Sequence, residues 1–253
     1  MSLAESELVK VSSQNEAIYD PSFVKELFDR CSSRYIAFSY FCSLGFTERW
    51  RRQCVDLIGL SKSASPRGID LMSGTGEVWP HLLRRFPQIE SITAVDISSG
   101  MHQRAMSRLH RLRAHKIEFI EDDALNSELP ENCADFVVST FGLKTFNKEQ
   151  QARLAGVTAR ILKPGGSFAF IEASDPQGWL FRPLYLFHLK TLLPLVERFL
   201  LKGAQDFAMI GQYCTKFADA SYFAGELDRL GLETCFQKRF FGCASVVFGR
   251  KPG

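Results

Sequence analysis

The stretch Gly68-Ile-Asp-Leu-Met-Ser-Gly-Thr-Gly-Glu77, followed by Ala94-Val-Asp-Ile-Ser98, decides how this chain is read. Ile69 to Met72 reads as a short buried strand, Ser73 to Gly76 as a tight turn, and Val78 to Phe86 as the start of a helix. Gly74 and Gly76 let the backbone pass close to a ligand with no Cβ in the way. The turn aims the first N–H groups of the helix at a negative group. A second strand, Ser91 to Val95, ends in Asp96. That is about 20 residues past the turn, where an acidic side chain grips ribose hydroxyls. The pattern points to a nucleoside-type cofactor.

Details of the turn separate two cofactor classes. Dinucleotide enzymes place glycines as G-x-G-x-x-G, but Trp79 stands where the third glycine would be. Asp70 also sits in the strand just before the turn, where a carboxylate would repel a pyrophosphate and attract an ammonium. That favours S-adenosylmethionine, with its amine and its sulfonium, over a nicotinamide cofactor. An ordinary strand-to-helix turn explains the glycines alone, but not Asp70 and Asp96 in register with them.

The rest of the chain reads as one α/β fold. Residues 1–20 are polar and expected to be flexible. Apolar residues at helical spacing (Phe23, Leu27, Phe28, then Tyr35, Phe38, Phe41) predict two or three N-terminal helices over 21–60, broken around Gly45. Residues 61–253 then alternate strand and helix, with strands near 68–72, 91–95, 116–120, 134–140 and 167–172. Leu232 to Phe248 adds two antiparallel strands turning at Phe241-Gly242. The expected fold is a Rossmann-like, doubly wound, seven-stranded and mostly parallel sheet with a helical cap inserted at about 175–220. The cap contains the aromatic-rich run Trp179 to Leu201, which Arg182, His188, Lys190, Glu197 and Arg198 interrupt. It suits an apolar acceptor site, a core, or a peripheral membrane contact.

Composition excludes several classes. A net charge of +3 gives no reason to expect nucleic acid. Seven cysteines without a C-x-x-C pair read as reduced thiols of a cytoplasmic protein, with no zinc or other metal site. No uninterrupted apolar run reaches the roughly 18 residues of a membrane span, and Met1 to Gln14 lacks a signal-type apolar run. A homo-oligomer is compatible with the sequence.

Other segments fall where ligands of open α/β sheets bind, at strand carboxyl ends. Glu121-Asp-Asp-Ala124 closes the third strand, and Asp123 is placed to accept an adenine amino group beside Ala124. Met101 either covers the adenine face or is plain core. Thr140 and Phe141, ending the fourth strand, would border a reacting methyl. The basic stretch Arg104 to Lys116 reads as a solvated helix face, and Leu162-Lys-Pro-Gly-Gly166 as a helix exit and turn.

With these residues in view, Asp70-Leu…Gly74-Thr-Gly76, Val95-Asp-Ile-Ser98, Phe141-Gly-Leu143 and Leu162-Lys-Pro-Gly-Gly166 resemble class I S-adenosylmethionine-dependent methyltransferases. Leu27-Phe-Asp…Arg34-Tyr35, Ser43-Leu-Gly-Phe46, Arg49-Trp-Arg-Arg52 and Tyr185-Leu-Phe-His188 are most similar to the ubiquinone/menaquinone biosynthesis C-methyltransferases. The resemblance implies cofactor contacts from Tyr35, Asp70, Ser73, Gly74, Gly76, Asp96, Ile97, Met101, Asp123, Ala124, Thr140 and Phe141. It also implies a quinone-like aromatic or polyprenyl acceptor and S-adenosylhomocysteine as product. The chain departs from that family in three places. Met72 replaces a small residue, Ile36 replaces an aspartate, and Gly142-Leu-Lys-Thr145 replaces G-[LI]-R-N. The arginine of that segment is implicated in activating the phenolic ring. Lys144 keeps its charge but not its planar fork. Lys144, or His188 acting as a base, is the catalytic candidate. The alternatives are a phospholipid or natural-product N- or O-methyltransferase, or a non-catalytic relative that binds a lipid or partner.

Overall fold

The computed structural model describes residues 16–60, 65–112, 116–195 and 208–253. The expected flexible N-terminus lies mostly outside these residues, as do Arg113 and the end of the apolar run beyond residue 195.

Seven strands form one sheet: β1 Arg67–Leu71, β2 Ser91–Asp96, β3 Ile117–Glu121, β4 Ala134–Thr140, β5 Leu162–Ala173, β6 Glu233–Arg239 and β7 Ala244–Arg250. Their spatial order is β3-β2-β1-β4-β5-β7-β6. All neighbours are parallel except β7, which runs antiparallel to both β5 and β6. The order reverses between β1 and β4, so their carboxyl ends open the crevice where such sheets hold ligands. The expected topology is correct. β5 starts earlier than expected, at Leu162. Leu162 pairs with Ala134, and the register then slips so that Ser167 pairs with Phe136. Gly165, at φ +77°, makes the bulge.

Side-chain alternation gives the sheet two apolar faces. Ile69, Leu71, Val137, Phe168, Phe170 and Val247 face one way. They pack on α6 (Lys148–Ile161) and α9 (Ser221–Arg229) through Leu154, Ile161, Phe223 and Leu227. Ile92, Phe136, Val138, Ala169 and Val246 face the other way. They pack on α3 (Phe46–Asp56) and α4 (Trp79–Arg85) through Trp50, Val55, Trp79 and Leu82. α5 (Ser99–Leu112) lies on this second face through Ala105.

The N-terminal helices are α1 (Pro21–Cys31), α2 (Tyr35–Cys42) and α3. Asp20 caps α1, its carboxylate accepting from the amides of Ser22 (2.9 Å) and Phe23 (3.3 Å). The break before α3 falls at Gly45 with φ +78°, as the sequence predicts. Asp29 joins α1 to the site: its Oδ1 accepts from Ser98 Oγ at 2.6 Å and from Gly100 N at 2.9 Å, at the start of α5. The cap contributes α7 (Arg182–Phe187), a π-helical turn His188–Leu192, and α8 (Ala208–Phe217). No described helix is long and apolar enough to cross a membrane.

Candidate active site

One cavity lies at the carboxyl ends of β1, β2 and β4. About 790 Å³ of space free of protein atoms lies in it, open mouth included. Ten of the twelve residues expected to hold the cofactor line it: Tyr35, Ser73, Gly74, Asp96, Ile97, Met101, Asp123, Ala124, Thr140 and Phe141. Pro21, Val24 and Phe28 of α1 close it from the N-terminal side.

Asp70 and Gly76 are the two that do not line it. Ile69 and Leu71 point to the α6–α9 face. Alternation therefore turns Asp70 to the α3–α4 face, outside the cavity wall. There its Oδ2 accepts from the Trp79 indole at 2.8 Å, while Oδ1 is buried without a partner. Burial pushes its carboxyl up to about 8, with Asp96 adding to the rise and Trp79 and Arg51 opposing it. Gly76 has φ +69°, and a Cβ there would stand 2.3 Å from the Trp79 ring. Its missing side chain makes room for Trp79 rather than for a ligand. Gly74 fits the expectation: φ is +55° and nothing lies within 4 Å of an added Cβ.

The residues fit an S-adenosylmethionine-like ligand. Ser73 Oγ in the cavity wall is buried with no partner, a polar atom without the hydrogen bond that buried groups almost always make. Gly74 leaves an open backbone cradle beside it. Asp96 at the end of β2 accepts from Gly74 N at 2.7 Å and Ser98 N at 2.9 Å. These amides fix both carboxylate oxygens, each with lone-pair capacity left for a hydroxyl. Burial raises the Asp96 carboxyl, and the two amide bonds oppose the rise. His102 lies near enough to interact with it, its own pKa pushed down by burial. Asp123 is held in a local turn, its Oδ1 accepting from Leu125 N at 2.9 Å and its Oδ2 from Asn126 Nδ2 at 3.1 Å.

Three features escaped the sequence reading. Glu77 lines the cavity, and Arg51 holds its carboxylate with Nη2 to Oε2 at 2.8 Å. Arg51 is itself buried and sits 5.0 Å over the Phe141 ring. Arg108, within the stretch read as a solvated face, donates to Thr75 O of the glycine turn at 2.9 Å. Bulky Met72 has φ +53° and fits because residue 142 is glycine: a Cβ there would lie 2.5 Å from Met72 Cβ. The arginines' i-to-i+3 and long-range partners carry no sequence signal. The resemblance of Arg49-Trp-Arg-Arg52 to a known family was the one available hint.

A second cavity adjoins the first and shares Tyr35 and Phe141 with it. It is larger, about 1490 Å³ with its mouth, and its lining is mainly Trp50, Trp179, Tyr185, Phe187, Leu189 and Phe240. Both catalytic candidates, Lys144 and His188, line this cavity and not the first. Lys144 is buried. Its Nζ donates to Phe141 O at 2.7 Å and to Glu172 Oε1 at 2.9 Å, and Glu172 Oε2 accepts Lys144 N at 3.0 Å. Glu172 is fully buried and was not anticipated. Phe141 holds φ +68°, a left-handed conformation of the kind concentrated at functional sites. Among the described residues no three His, Cys, Asp or Glu side chains cluster as a metal site.

Comparisons with known proteins agree with this arrangement. The ubiE/COQ5 methyltransferase family profile matches residues 11–251. A demethylmenaquinone methyltransferase of Bacillus cereus (strain ATCC 10987 / NRS 248) is 23% identical over 230 residues, covering 90% of this chain and 95% of its own. Among solved structures, human N-acetylserotonin methyltransferase in complex with SAM superposes with a TM-score of 0.57 at 21% identity, over 88% of this chain and 59% of that one. A putative methyltransferase from Haloferax volcanii, solved with its Trm112 activator, gives 0.61 at 17% identity over 89% and 98%. The cofactor is S-adenosylmethionine, and the chain belongs to the ubiE/COQ5 methyltransferase family.

Proposed function

We propose that this methyltransferase acts on an apolar, phenolic acceptor of quinone-precursor type. The carrying observation is the pair of adjoining cavities. One gathers Ser73, Gly74, Glu77, Asp96 and Asp123 at strand ends, the other is mainly aromatic and aliphatic, and they meet at Tyr35 and Phe141. The relative from Bacillus cereus, named for demethylmenaquinone, supports the acceptor class.

In this reading Asp96 takes the ribose hydroxyls, and Asp123 and Ala124 take the adenine edge between Ile97 and Met101. Ser73, Gly74 and Glu77 hold the methionine end. When bound, the cofactor supplies a methyl activated by a sulfonium and leaves as a neutral thioether. The chain's task is to align the acceptor behind Tyr35 and Phe141, exclude water, and stabilise the acceptor's oxyanion. An ammonium has three donors. Glu172 and Phe141 O occupy two on Lys144, leaving the third for an oxyanion in the cavity. That N–H donor suits a phenolate oxygen and offers nothing to a cationic amine, which sets this reading above an N-methyltransferase. His188 is the alternative proton acceptor from the same wall. The reduced, buried thiols suit a cytoplasmic setting: burial raises Cys214 to about 12 and Cys243 to about 11.

Calorimetry with S-adenosylhomocysteine and NADH, followed by methyl transfer to a demethylated phenolic quinol, tests the reading. Binding of the first ligand, none of the second, and methylation of the quinol are expected. Cofactor binding without methylation of any phenol would remove the acceptor assignment.

A further inference from the structure

The acceptor cavity opens through an apolar collar built from three segments far apart in sequence. These are the end of α2 near Leu44, the cap residues from Trp179 onward, and the turn between β6 and β7. Leu180 is 82% exposed, Leu44 77% and Phe241 69%, and Leu184 and Phe187 are also exposed. An apolar patch of this kind is uncommon on a soluble surface and marks an interaction site. Ring contacts join its segments. The Trp179 and Phe241 rings stack in parallel at 5.3 Å, and Phe240 packs on Phe46 at 4.4 Å. Phe240 and Phe241 both hold left-handed backbone, at φ +45° and +56°. A turn of glycine or asparagine would avoid that strain. Here the strained turn instead presents two aromatic rings outward.

Charge identifies the occupant. Residues 34–47, 176–193 and 238–243 contain Arg34, Arg182, Lys190, Lys238 and Arg239 and no aspartate or glutamate. Arg182 and Lys238 are held by Asp175 and Asp219, which lie behind the collar and are largely buried. A second copy docked by two-fold symmetry would bring these cations against themselves. A bilayer with anionic headgroups accepts the rings and aliphatic chains and attracts the cations. We propose that the collar is a membrane-docking surface that seats the acceptor cavity's mouth on an anionic lipid bilayer. It rests on the acceptor class proposed above for its purpose, since a lipophilic acceptor could then enter without crossing water. The docking itself needs no substrate.

The full chain is tested by flotation with vesicles of phosphatidylcholine alone and of phosphatidylcholine mixed equally with phosphatidylglycerol. Binding to the mixed vesicles is expected, at least ~10-fold weaker without the anionic lipid or at high salt. Leu180→Glu/Phe241→Glu should weaken it by ~10-fold or more, with S-adenosylhomocysteine affinity unchanged and the fold retained by circular dichroism. Lys190→Glu, which disturbs no ring, should weaken it by roughly 3–10-fold. Absence of vesicle binding, or binding undiminished in the double variant, overturns the proposal. So does a dimer seen by ultracentrifugation that the double variant dissolves, which would give the collar to a second copy. Retained S-adenosylhomocysteine binding in either case shows that docking, not the cofactor reading, has failed.

Discussion

The two cavities share Tyr35 and Phe141 and are otherwise built on opposite principles. The cofactor cavity is made at strand ends by short-range chain: a turn after β1, an acid ending β2, a turn after β3. Its working groups are backbone amides, an orphaned hydroxyl and carboxylates already fixed by N–H donors. The cavity proposed for the acceptor is lined by aromatic side chains from α3, residues 179–187 and the β6–β7 turn. Its one strong polar feature is a buried ion pair, Lys144 with Glu172. A strand end fixes its geometry within a few residues of sequence, whereas a packed aromatic wall depends on contacts across the whole chain.

The sharpest way to break the comparison lies inside the turn. Gly76→Ala adds a Cβ 2.3 Å from buried Trp79 at a positive φ, so strain and overpacking should together cost about 2–5 kcal/mol of stability. Gly74→Ala meets open space and should cost only about 1 kcal/mol without cofactor, yet block the ligand's approach. Denaturant unfolding and calorimetry of both variants check this. Equal stability losses would mean that Trp79 does not depend on Gly76.

Next comes the division of labour between the cavities. Lys144→Met should cut turnover on a phenolic acceptor by about 10²-fold or more, leaving S-adenosylhomocysteine affinity within a factor of a few. The single change strands a buried Glu172 carboxylate, a loss of about 3–5 kcal/mol. Lys144→Met/Glu172→Gln therefore keeps the fold while removing the charge, and Lys144→Arg should recover part of the rate. Unaltered turnover in the double variant would move the chemistry to His188 or to positioning alone. On the cofactor side, Asp96→Ala should weaken S-adenosylhomocysteine by roughly 1.5–3 kcal/mol. Part of that loss comes from Gly74 N and Ser98 N, which lose their acceptor. Unchanged affinity in a folded variant would remove the ribose assignment.

These predictions follow the line between what the sequence revealed and what it hid. The positions of Gly74 and Asp96 and the seven-stranded, mostly parallel sheet were legible because local pattern sets them: a turn after a strand, an acid at a strand end, two β-rich segments at the end; the spatial order of the strands was not read from it. Lys144 and His188 fall in the wall of one cavity, but the burial of Lys144 was not foreseen, because it depends on Glu172, 28 residues away on β5. The Arg51–Glu77 pair spans 26 residues and was invisible for the same reason. Asp70 lies on β1 as expected, and its carboxylate accepts from the Trp79 indole. Its position followed from the motif, but its direction depended on which sheet face Trp79 covers.

Asp70 also gives the finest test. Its carboxyl is raised to about 8 by burial, against about 3.9 in an unfolded chain. Between those values the folded protein holds a proton that the unfolded chain has released. Stability therefore falls as pH rises through that window and levels off above about 8. The slope is at most about 1.4 kcal/mol per pH unit from this one group. Asp70→Asn keeps an acceptor for the Trp79 indole and removes the titration. Its stability should be flatter than the wild type's from pH 5 to 8, with the variant the more stable near pH 8. Chemical denaturation across that range, without cofactor, reads the difference. Because Asp70 stands outside the cavity wall, S-adenosylhomocysteine affinity should fall by no more than a few-fold. Parallel stability curves would show the carboxylate ionised despite its burial. A loss of affinity beyond about tenfold, some 1.4 kcal/mol, would return Asp70 to the ligand's ammonium, where the motif alone had put it.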